Sequence, residues 1–270
     1  MAEQNSIMQP TGFDICSEEG PCLTIIKPTG LLTQAPPHID SLERRIKEYL
    51  KERDNKPGRV YLGVPHRLDR PVSGIMLFAK HVRAAKRLSQ QFEGRIIDKR
   101  YWTCVEGLVD PAEGEWVDHM RKIPGKAEAE IVPAEHPEAR IGILRYQLIF
   151  QAGNRSWLEI ELETGRTHQI RLQAATRGHP VVGDLRYQST VTLDEQSVNE
   201  RTRSIALHAR RISFFHPMTR EPRTAVAPLP LLWKTAGLLP TGHPWLADSS
   251  LGRSYLRRDR PRCSDERRKK

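Results

Sequence analysis

The sequence predicts an α+β fold, with a mixed, largely antiparallel central sheet and flanking helices and loops. Several short runs of β-forming residues follow one another with few helical stretches between them, which favours α+β over alternating βαβ units. In one run, Trp157–Leu162, apolar residues alternate with glutamates, as in a strand with one buried face. A chain of 270 residues with 38% hydrophobic content can also bury a full core.

The first part of the chain predicts one strand and one helix. Residues 1–20 carry no periodic pattern, and we expect an extended lead-in there. Leu23–Ile26 predicts a strand that delivers Lys27 to a turn. Asp40 and Glu43 resemble a capping box, and the apolar spacing that follows them predicts a helix ending near residue 55.

The middle of the chain predicts further strands and a second helix. In order, these are a buried strand at Ile75–Phe78, a helix at Val82–Phe92, a strand at Lys99–Gly107, a hairpin or irregular excursion over residues 110–140, and an antiparallel pair at Tyr146–Phe150 and Trp157–Leu162. Val82, Ala85, Leu88 and Phe92 share the apolar face of the predicted helix.

The C-terminal third predicts less regular structure. Ala206–Phe215 is typical of a core strand or a helix-strand piece, and a short helix is expected at 231–238. Residues 239–270 give no reason to expect packing, and we predict a basic, disordered tail.

The positive charge is concentrated at the C-terminus. The whole chain has a formal net charge of +10, and Arg253–Lys270 holds nine Lys/Arg against three Asp/Glu, which leaves +4 for the rest. A mildly basic body with a strongly basic tail indicates a polyanionic partner, most often nucleic acid. The alternative is a solubilising end.

Several classes of protein are disfavoured. No apolar run is long enough for a membrane span, and no secretory signal is visible, so we expect a cytoplasmic protein. The four cysteines lack metal-ligand spacing. Phosphate-cradling glycine motifs are absent, and so is i, i+4 spacing among His66, His168, His179 and His208. We therefore predict neither a cofactor nor a metal.

Two dense polar stretches stand out, each beside an apolar segment. The first holds His66, Arg67, Asp69 and Arg70, and the second spans Thr164–Arg171. An Arg beside a carboxylate keeps it ionised and fixes its direction, as nucleophilic or glycosidic chemistry requires. A structural salt bridge between two loops explains the same residues equally well.

The first stretch, His66–Asp69 followed by Ser73-Gly74, resembles the catalytic motif of the RluA-type pseudouridine synthases. Further segments resemble family motifs in family order, namely Lys27–Gly30, Lys99–Tyr101, Leu162–Arg171, Gly178–Pro180 with Gly183-Asp184 and Tyr187, and Leu207–Ala209 with His216-Pro217. The resemblance covers roughly residues 22 to 227, so residues 21–238 are expected to form the catalytic domain.

The resemblance implies an isomerase that converts uridine to pseudouridine in RNA without cofactor or metal. The N1 glycosidic bond breaks, the uracil turns, and C5 bonds to C1′. By similarity, Asp69 is the catalytic carboxylate, which either attacks C1′ or removes a C2′ proton. Tyr101 is expected to lie against the uracil and to serve as base for the C5 proton, and Arg166 to pair with Asp69.

The resemblance also implies residues that meet RNA. Arg67 is expected to fill the gap left by the flipped-out uridine. His66 either binds RNA or only shapes its loop, and Ile170 either packs beside the base or belongs to the core. The predicted RNA-binding residues are Arg67, His66, Lys27, Lys99, His168 and Arg171.

This chain departs from the family pattern in three respects. Val72 stands where the family usually has Thr, and Gln173 where a His is common. About 20 residues precede the catalytic motifs, too few for the S4-like RNA-binding domain of many relatives. RNA capture is then expected to rest on basic loops and the Arg253–Lys270 tail.

The leading hypothesis is a single-domain RNA pseudouridine synthase acting on a structured tRNA or rRNA, as a monomer without an obligatory protein partner. The alternative is a catalytically silent RNA-binding or chaperone module with the same fold. A third, remote reading is a metal-dependent nuclease that uses the histidines.

Overall fold

A computed structural model describes residues 9–193 and 202–239 of the chain. Within these ranges the strands are β1 (Asp14–Glu19), β2 (Cys22–Lys27), β3 (Ser73–Ala79), β4 (Asp98–Glu106), β5 (Glu113–Lys122), β6 (Ala129–Ile131), β7 (Arg140–Ala152), β8 (Arg155–Leu162), β9 (Leu207–Phe215) and β10 (Pro222–Val226). The helices there are α1 (Leu42–Arg53), α2 (Val82–Glu93), α3 (Gln169–Ala175) and α4 (Leu231–Thr235), with a 3-10 turn at Leu185–Tyr187. The predicted α+β class is confirmed.

The strands form one mixed sheet in which β9 joins two groups. The order is β1-β2-β3-β9-β4-β8-β7-β5-β6, and β10 also pairs with β9. The pair β3–β9 is parallel, while the other strand pairs in the described residues are antiparallel. The first group, β1-β2-β3, therefore meets β9 through β3, which begins shortly after Asp69. The second group meets β9 through β4, which carries Tyr101.

The contact between β3 and β9 is unusually close at Gly74. This residue has φ +120°, and a Cβ added to it would lie 2.3 Å from the Ala209 carbonyl oxygen. One residue earlier, Ser73 Oγ lies 2.8 Å from His208 Nδ1 across the same junction. A glycine is therefore required where the two groups of strands meet.

The first helix lies where the apolar pattern predicts it, but its cap differs. Ser41 Oγ accepts from the Arg44 amide at 3.4 Å, so Ser41 rather than Asp40 is the N-cap. Asp40 instead forms an ion pair with Arg45.

The second helix also has the predicted extent, and Ala85, Leu88 and Phe92 of its predicted apolar face pack against the core. α2 buries Ala84 and Leu88, whereas Val82 is 64% exposed, which contradicts its predicted place on the apolar face. Across the described parts of the chain, no helix has the length and apolar character of a bilayer span.

The N-terminal residues differ from the expected lead-in. β1 pairs with β2 through backbone hydrogen bonds and forms one edge of the sheet. Most β1 side chains are only partly buried, so the strand has no apolar alternation to reveal it. The predicted tail falls almost wholly outside the described residues, which end at residue 239.

The central strand predictions are confirmed. The strand expected at Lys99–Gly107 is β4, and the expected antiparallel pair is β7–β8, with β7 beginning at Arg140. The excursion over residues 110–140 contains the β5–β6 hairpin.

Candidate active site

Asp69 lies on the loop that leads into β3, and buried hydrogen bonds fix that loop. Thr33 Oγ1 donates to the Leu68 carbonyl at 2.9 Å and accepts from the Leu68 amide at 3.2 Å. Lys27 Nζ donates to the carbonyls of Arg70 and Val72, at 3.2 and 2.7 Å. Buried hydrogen bonds therefore fix the backbone on both sides of Asp69, while the Asp69 side chain is 31% exposed.

Lys27 supports this loop from inside the protein. It is fully buried at the end of β2, and its third hydrogen bond is to the Pro28 carbonyl at 2.8 Å. Burial lowers the pKa of Lys27 to about 7, and the nearby Asp69 carboxylate opposes that shift. Direct RNA binding by Lys27, as predicted, is incompatible with this burial.

The ion-pair partner of Asp69 is Arg171. Arg171 Nη1 lies 3.2 Å from Asp69 Oδ2, and the same guanidinium makes two hydrogen bonds to Asp184, at 2.6 and 2.8 Å. Burial opposes the charge of Arg171, but the pairing with Asp184 raises its pKa above the ordinary value. A permanently charged group therefore orients the Asp69 carboxylate.

The predicted pairing of Arg166 with Asp69 is wrong. Arg166 lies on the loop before α3, and its Nε donates to the Ile141 carbonyl at 2.9 Å. Arg171, for which we predicted RNA contact, is buried in α3 with 4% side-chain exposure. Residue type does not separate the two arginines in advance, because both lie in the polar stretch Thr164–Arg171.

His168 is the second neighbour of Asp69. Its Nε2 lies 3.6 Å from Asp69 Oδ2, and its Nδ1 lies 2.8 Å from the Tyr187 hydroxyl. Burial lowers the pKa of His168, which favours a neutral ring. With a side-chain exposure of 11%, His168 lines the pocket next to the carboxylate, and its contact with RNA stays a prediction.

Tyr101 lies on β4, across the site from Asp69. Its relative exposure is 8%, and it lines the same pocket as Asp69 and Ile170. Burial raises the pKa of Tyr101 above its ordinary value, and the charge of Asp69 adds to the shift. The phenol is therefore protonated at neutral pH.

The two residues that open the motif have different environments. His66 Nε2 accepts from the Leu77 amide at 2.9 Å, and its ring stacks on Phe92 with centroids 4.6 Å apart. Burial lowers the pKa of His66 to about 3, so it shapes the loop as a neutral ring. Arg67 is exposed and has no hydrogen-bond or ion-pair partner in the described part of the chain, so it is free to meet RNA.

These residues surround a pocket of about 540 Å³, a size suited to a small organic group such as a nucleoside. One wall is polar, with Asp69, His168 and Arg171. The apolar lining consists of Val64, Pro65, Leu68, Val72, Phe92, Leu162, Ile170 and Leu207. The arrangement offers one oriented carboxylate in a cavity lined by both polar and apolar side chains.

Across residues 9–193 and 202–239, no three His, Cys, Asp or Glu side chains are grouped as metal ligands would be.

Comparison with known proteins gives one family. Residues 22–176 match the model of the RNA pseudouridylate synthase family. An uncharacterized RNA pseudouridine synthase of Synechocystis sp. is 34% identical over 227 residues, which cover 83% of this chain and 68% of that protein. The dual-specificity RNA pseudouridine synthase RluA of Vibrio cholerae is 29% identical over 232 residues, covering 84% and 87%.

The fold agrees with this family. The human RNA pseudouridylate synthase domain containing 4 has a TM-score of 0.67 at 20% identity, over 82% of this chain and 90% of that one. The chain is thus a member of the RNA pseudouridylate synthase family, an isomerase that acts on RNA.

Proposed function

We propose that this enzyme isomerises specific uridines to pseudouridine in structured tRNA or rRNA, with Asp69 as its catalytic carboxylate. The observation that carries the proposal is the Asp69–Arg171 ion pair of 3.2 Å in the pocket that Tyr101 and Ile170 also line. A carboxylate oriented by a fixed guanidinium suits either attack on C1′ of the ribose or removal of the C2′ proton.

The reaction needs breakage of the N1–C1′ bond, rotation of the uracil and formation of the C5–C1′ bond. If Asp69 attacks C1′, its oxygen forms an ester and the uracil leaves with the bond electrons; C5 then displaces the ester. If Asp69 removes the C2′ proton, the uracil leaves with the electrons of the N1–C1′ bond and a glycal forms. The proton then returns to C2′ as C5 bonds to C1′. In both routes C5 finally loses its proton.

Tyr101 supports the turning base by its position. Its ring supplies a flat apolar surface in the pocket, and uracil is flat and neutral. Because burial raises its pKa, the phenol must first lose its own proton before it can remove the proton from C5. We therefore assign packing against the uracil as the first role of Tyr101, and proton removal as the second.

RNA must present the target base outside its stack. The exposed Arg67 lies at the pocket beside Asp69 and is free of protein partners among the described residues. A guanidinium stacks well on nucleobases, so Arg67 suits the gap that a flipped-out uridine leaves.

Release of tritium from C5-labelled RNA tests the proposal. The wild type should release tritium from cellular tRNA or rRNA, and Asp69→Asn, which keeps the size of the side chain, should lower the rate by about a thousandfold or more. Asp54→Asn, on the surface at the end of α1, serves as the matched control and should behave like the wild type.

The outcomes separate the competing hypotheses. Turnover by Asp69→Asn at the wild-type rate would contradict the assignment of Asp69 as the catalytic carboxylate. Tight RNA binding by the wild type with no tritium release from any cellular RNA would favour the silent RNA-binding or chaperone module. The target itself is found by mapping pseudouridines in RNA from cells with and without the protein.

A further inference from the structure

A second groove adjoins the catalytic pocket. It has a volume of about 720 Å³, and it shares five lining residues with the pocket that holds Asp69. These shared residues are Phe92, Lys99, Leu162, Gly165 and Arg166. The pocket and the groove are therefore adjacent, and their shared lining includes two basic side chains.

Lys99 is the first of these and lies near the start of β4. Its ammonium group makes no hydrogen bond or ion pair with any described residue, although burial lowers its pKa. The neighbouring Asp98 opposes that shift, but its carboxylate is already ion-paired with Arg211 and Arg100. A partly buried cation without a partner is costly, so a ligand that supplies an anion there is favoured.

Arg166 is the second basic side chain. Its Nε is used by the Ile141 carbonyl, and no carboxylate in the described residues pairs with it. The loop of Arg166 lies close to Lys99 at Gly165, where an added Cβ would be 3.7 Å from Lys99 Nζ. Both cations therefore border the same opening.

The acidic residues of the groove do not neutralise this pair. Glu161 lies 2.7 Å from Arg100, and Glu163 lies 3.2 Å from Arg145 and 3.5 Å from Arg95. The remaining carboxylate, Glu93, is exposed at the end of α2. The uncompensated positive charge thus falls at the boundary between groove and pocket.

We propose that Lys99 and Arg166 together bind one phosphodiester next to the target uridine, so that the target base enters the pocket while the neighbouring nucleotide follows the groove. The inference rests on the proposed function. Nucleobases are neutral, and the phosphodiester is the anion that RNA brings to every nucleotide. A guanidinium and an ammonium that line the same two cavities suit a phosphate, because its oxygens accept from both.

RNA hairpins that carry the mapped target uridine test this. Each linkage near that uridine is replaced, one at a time, by an uncharged methylphosphonate, and affinity is measured for the wild type and for Lys99→Met. We expect the wild type to lose about tenfold in affinity at one of the two linkages that flank the uridine. Lys99→Met should bind the unmodified RNA about tenfold more weakly and be insensitive to that same linkage.

Salt dependence and turnover give independent readouts. Lys99→Met should reduce the slope of log affinity against log salt by about 1. Turnover at saturating RNA should stay within a fewfold of the wild type, since a contact present in ground and transition states changes binding alone. Lys51→Met, at the end of α1 and remote from both cavities, is the matched control and should change neither.

Two further variants test whether a loss of affinity comes from the missing phosphate contact or from misfolding. Arg166→Gln, on the loop before α3, should show the same insensitivity at the same linkage, and Lys99→Arg should restore affinity. The inference is overturned if Lys99→Met binds RNA as tightly as the wild type. It is also overturned if the loss of affinity caused by Lys99→Met adds to the loss caused by the methylphosphonate at both flanking linkages. These results are distinct from failure of the proposed function, in which the wild type itself isomerises no RNA.

Discussion

Arg171 holds two carboxylates with one guanidinium, and these two contacts have different consequences. Asp184 is 2% exposed and accepts two of its hydrogen bonds, while Asp69 is 31% exposed and accepts one. The buried Arg171–Asp184 contact therefore affects mainly the stability of the fold, and the partly exposed Arg171–Asp69 contact affects mainly the reaction.

Arg171→Gln should separate these effects. Because Asp184 then stays buried without a cation, the free energy of unfolding should fall by about 3–5 kcal/mol, measured by urea denaturation. The double variant Arg171→Gln/Asp184→Asn should recover part of this stability. Tritium release should stay low in both, since Asp69 still lacks its partner. Normal turnover in the double variant would contradict the orienting role of Arg171.

Lys27 should give the protein a characteristic pH dependence of stability. The pKa of Lys27 is about 7 in the folded chain, whereas the pKa of a lysine in an unfolded chain is near its ordinary value of 10.5. Between these pH values the unfolded state binds more protons, so stability rises with pH, by at most about 1.4 kcal/mol per unit. Below pH 7 both states are protonated and this slope vanishes.

The measurement is urea denaturation of the wild type and of Lys27→Met between pH 6 and 10. The advantage of the wild type over Lys27→Met should grow as the pH rises above 7. Lys51→Met, which removes an exposed lysine, should follow the wild type at every pH. A difference that is constant from pH 7 to 10 would show that Lys27 stays charged in the folded protein.

Among the elements, the β3–β9 junction allows the least variation. Gly74→Ala should destabilise the fold by about 3 kcal/mol or more, because φ is +120° and the added Cβ would meet the Ala209 backbone at 2.3 Å. Gly58→Ala is the control, since nothing lies within 4 Å of its added Cβ. Thermal unfolding measures both, and a small loss at Gly74 would mean that β3 and β9 separate readily.

How far the sequence predicts an element depends on whether side chains or backbone hold it. α1 and β8 were predictable because their apolar residues recur with the period of a helix and of a strand. β1 was not, because backbone pairing at the sheet edge leaves no pattern in its side chains. On α2 the apolar period predicts Ala85, Leu88 and Phe92 correctly but not Val82, the first residue of the helix, which is exposed.

The site shows the same division. Asp69, Tyr101 and Ile170 line one pocket, as the motif order led us to expect. The choice between Arg166 and Arg171 depends on which of the two side chains is buried in the fold, and residue type alone does not decide this. Likewise, the burial of Lys27 follows from the crossing of β2 under the Asp69 loop, which is a property of the folded chain.

At the scale of the whole molecule, charge should control RNA affinity. Deleting residues 253–270 removes +6 of the net +10. We expect weaker RNA binding and a shallower salt slope, with turnover at saturating RNA preserved, because phosphate contacts add affinity without reaching the reacting base. Filter binding across a salt series measures this. Unchanged affinity at low and moderate salt would identify the tail as a solubilising end.

The position of β9 also bears on how the enzyme is made. Ser73 of β3 meets His208 of β9 across 135 residues of chain, and in the described sheet β9 is the strand that links the Asp69 side to the Tyr101 side. Since β9 is translated late, a nascent chain holds both halves of the centre long before it can join them. Catalytic competence should therefore arise abruptly, when this strand leaves the ribosome.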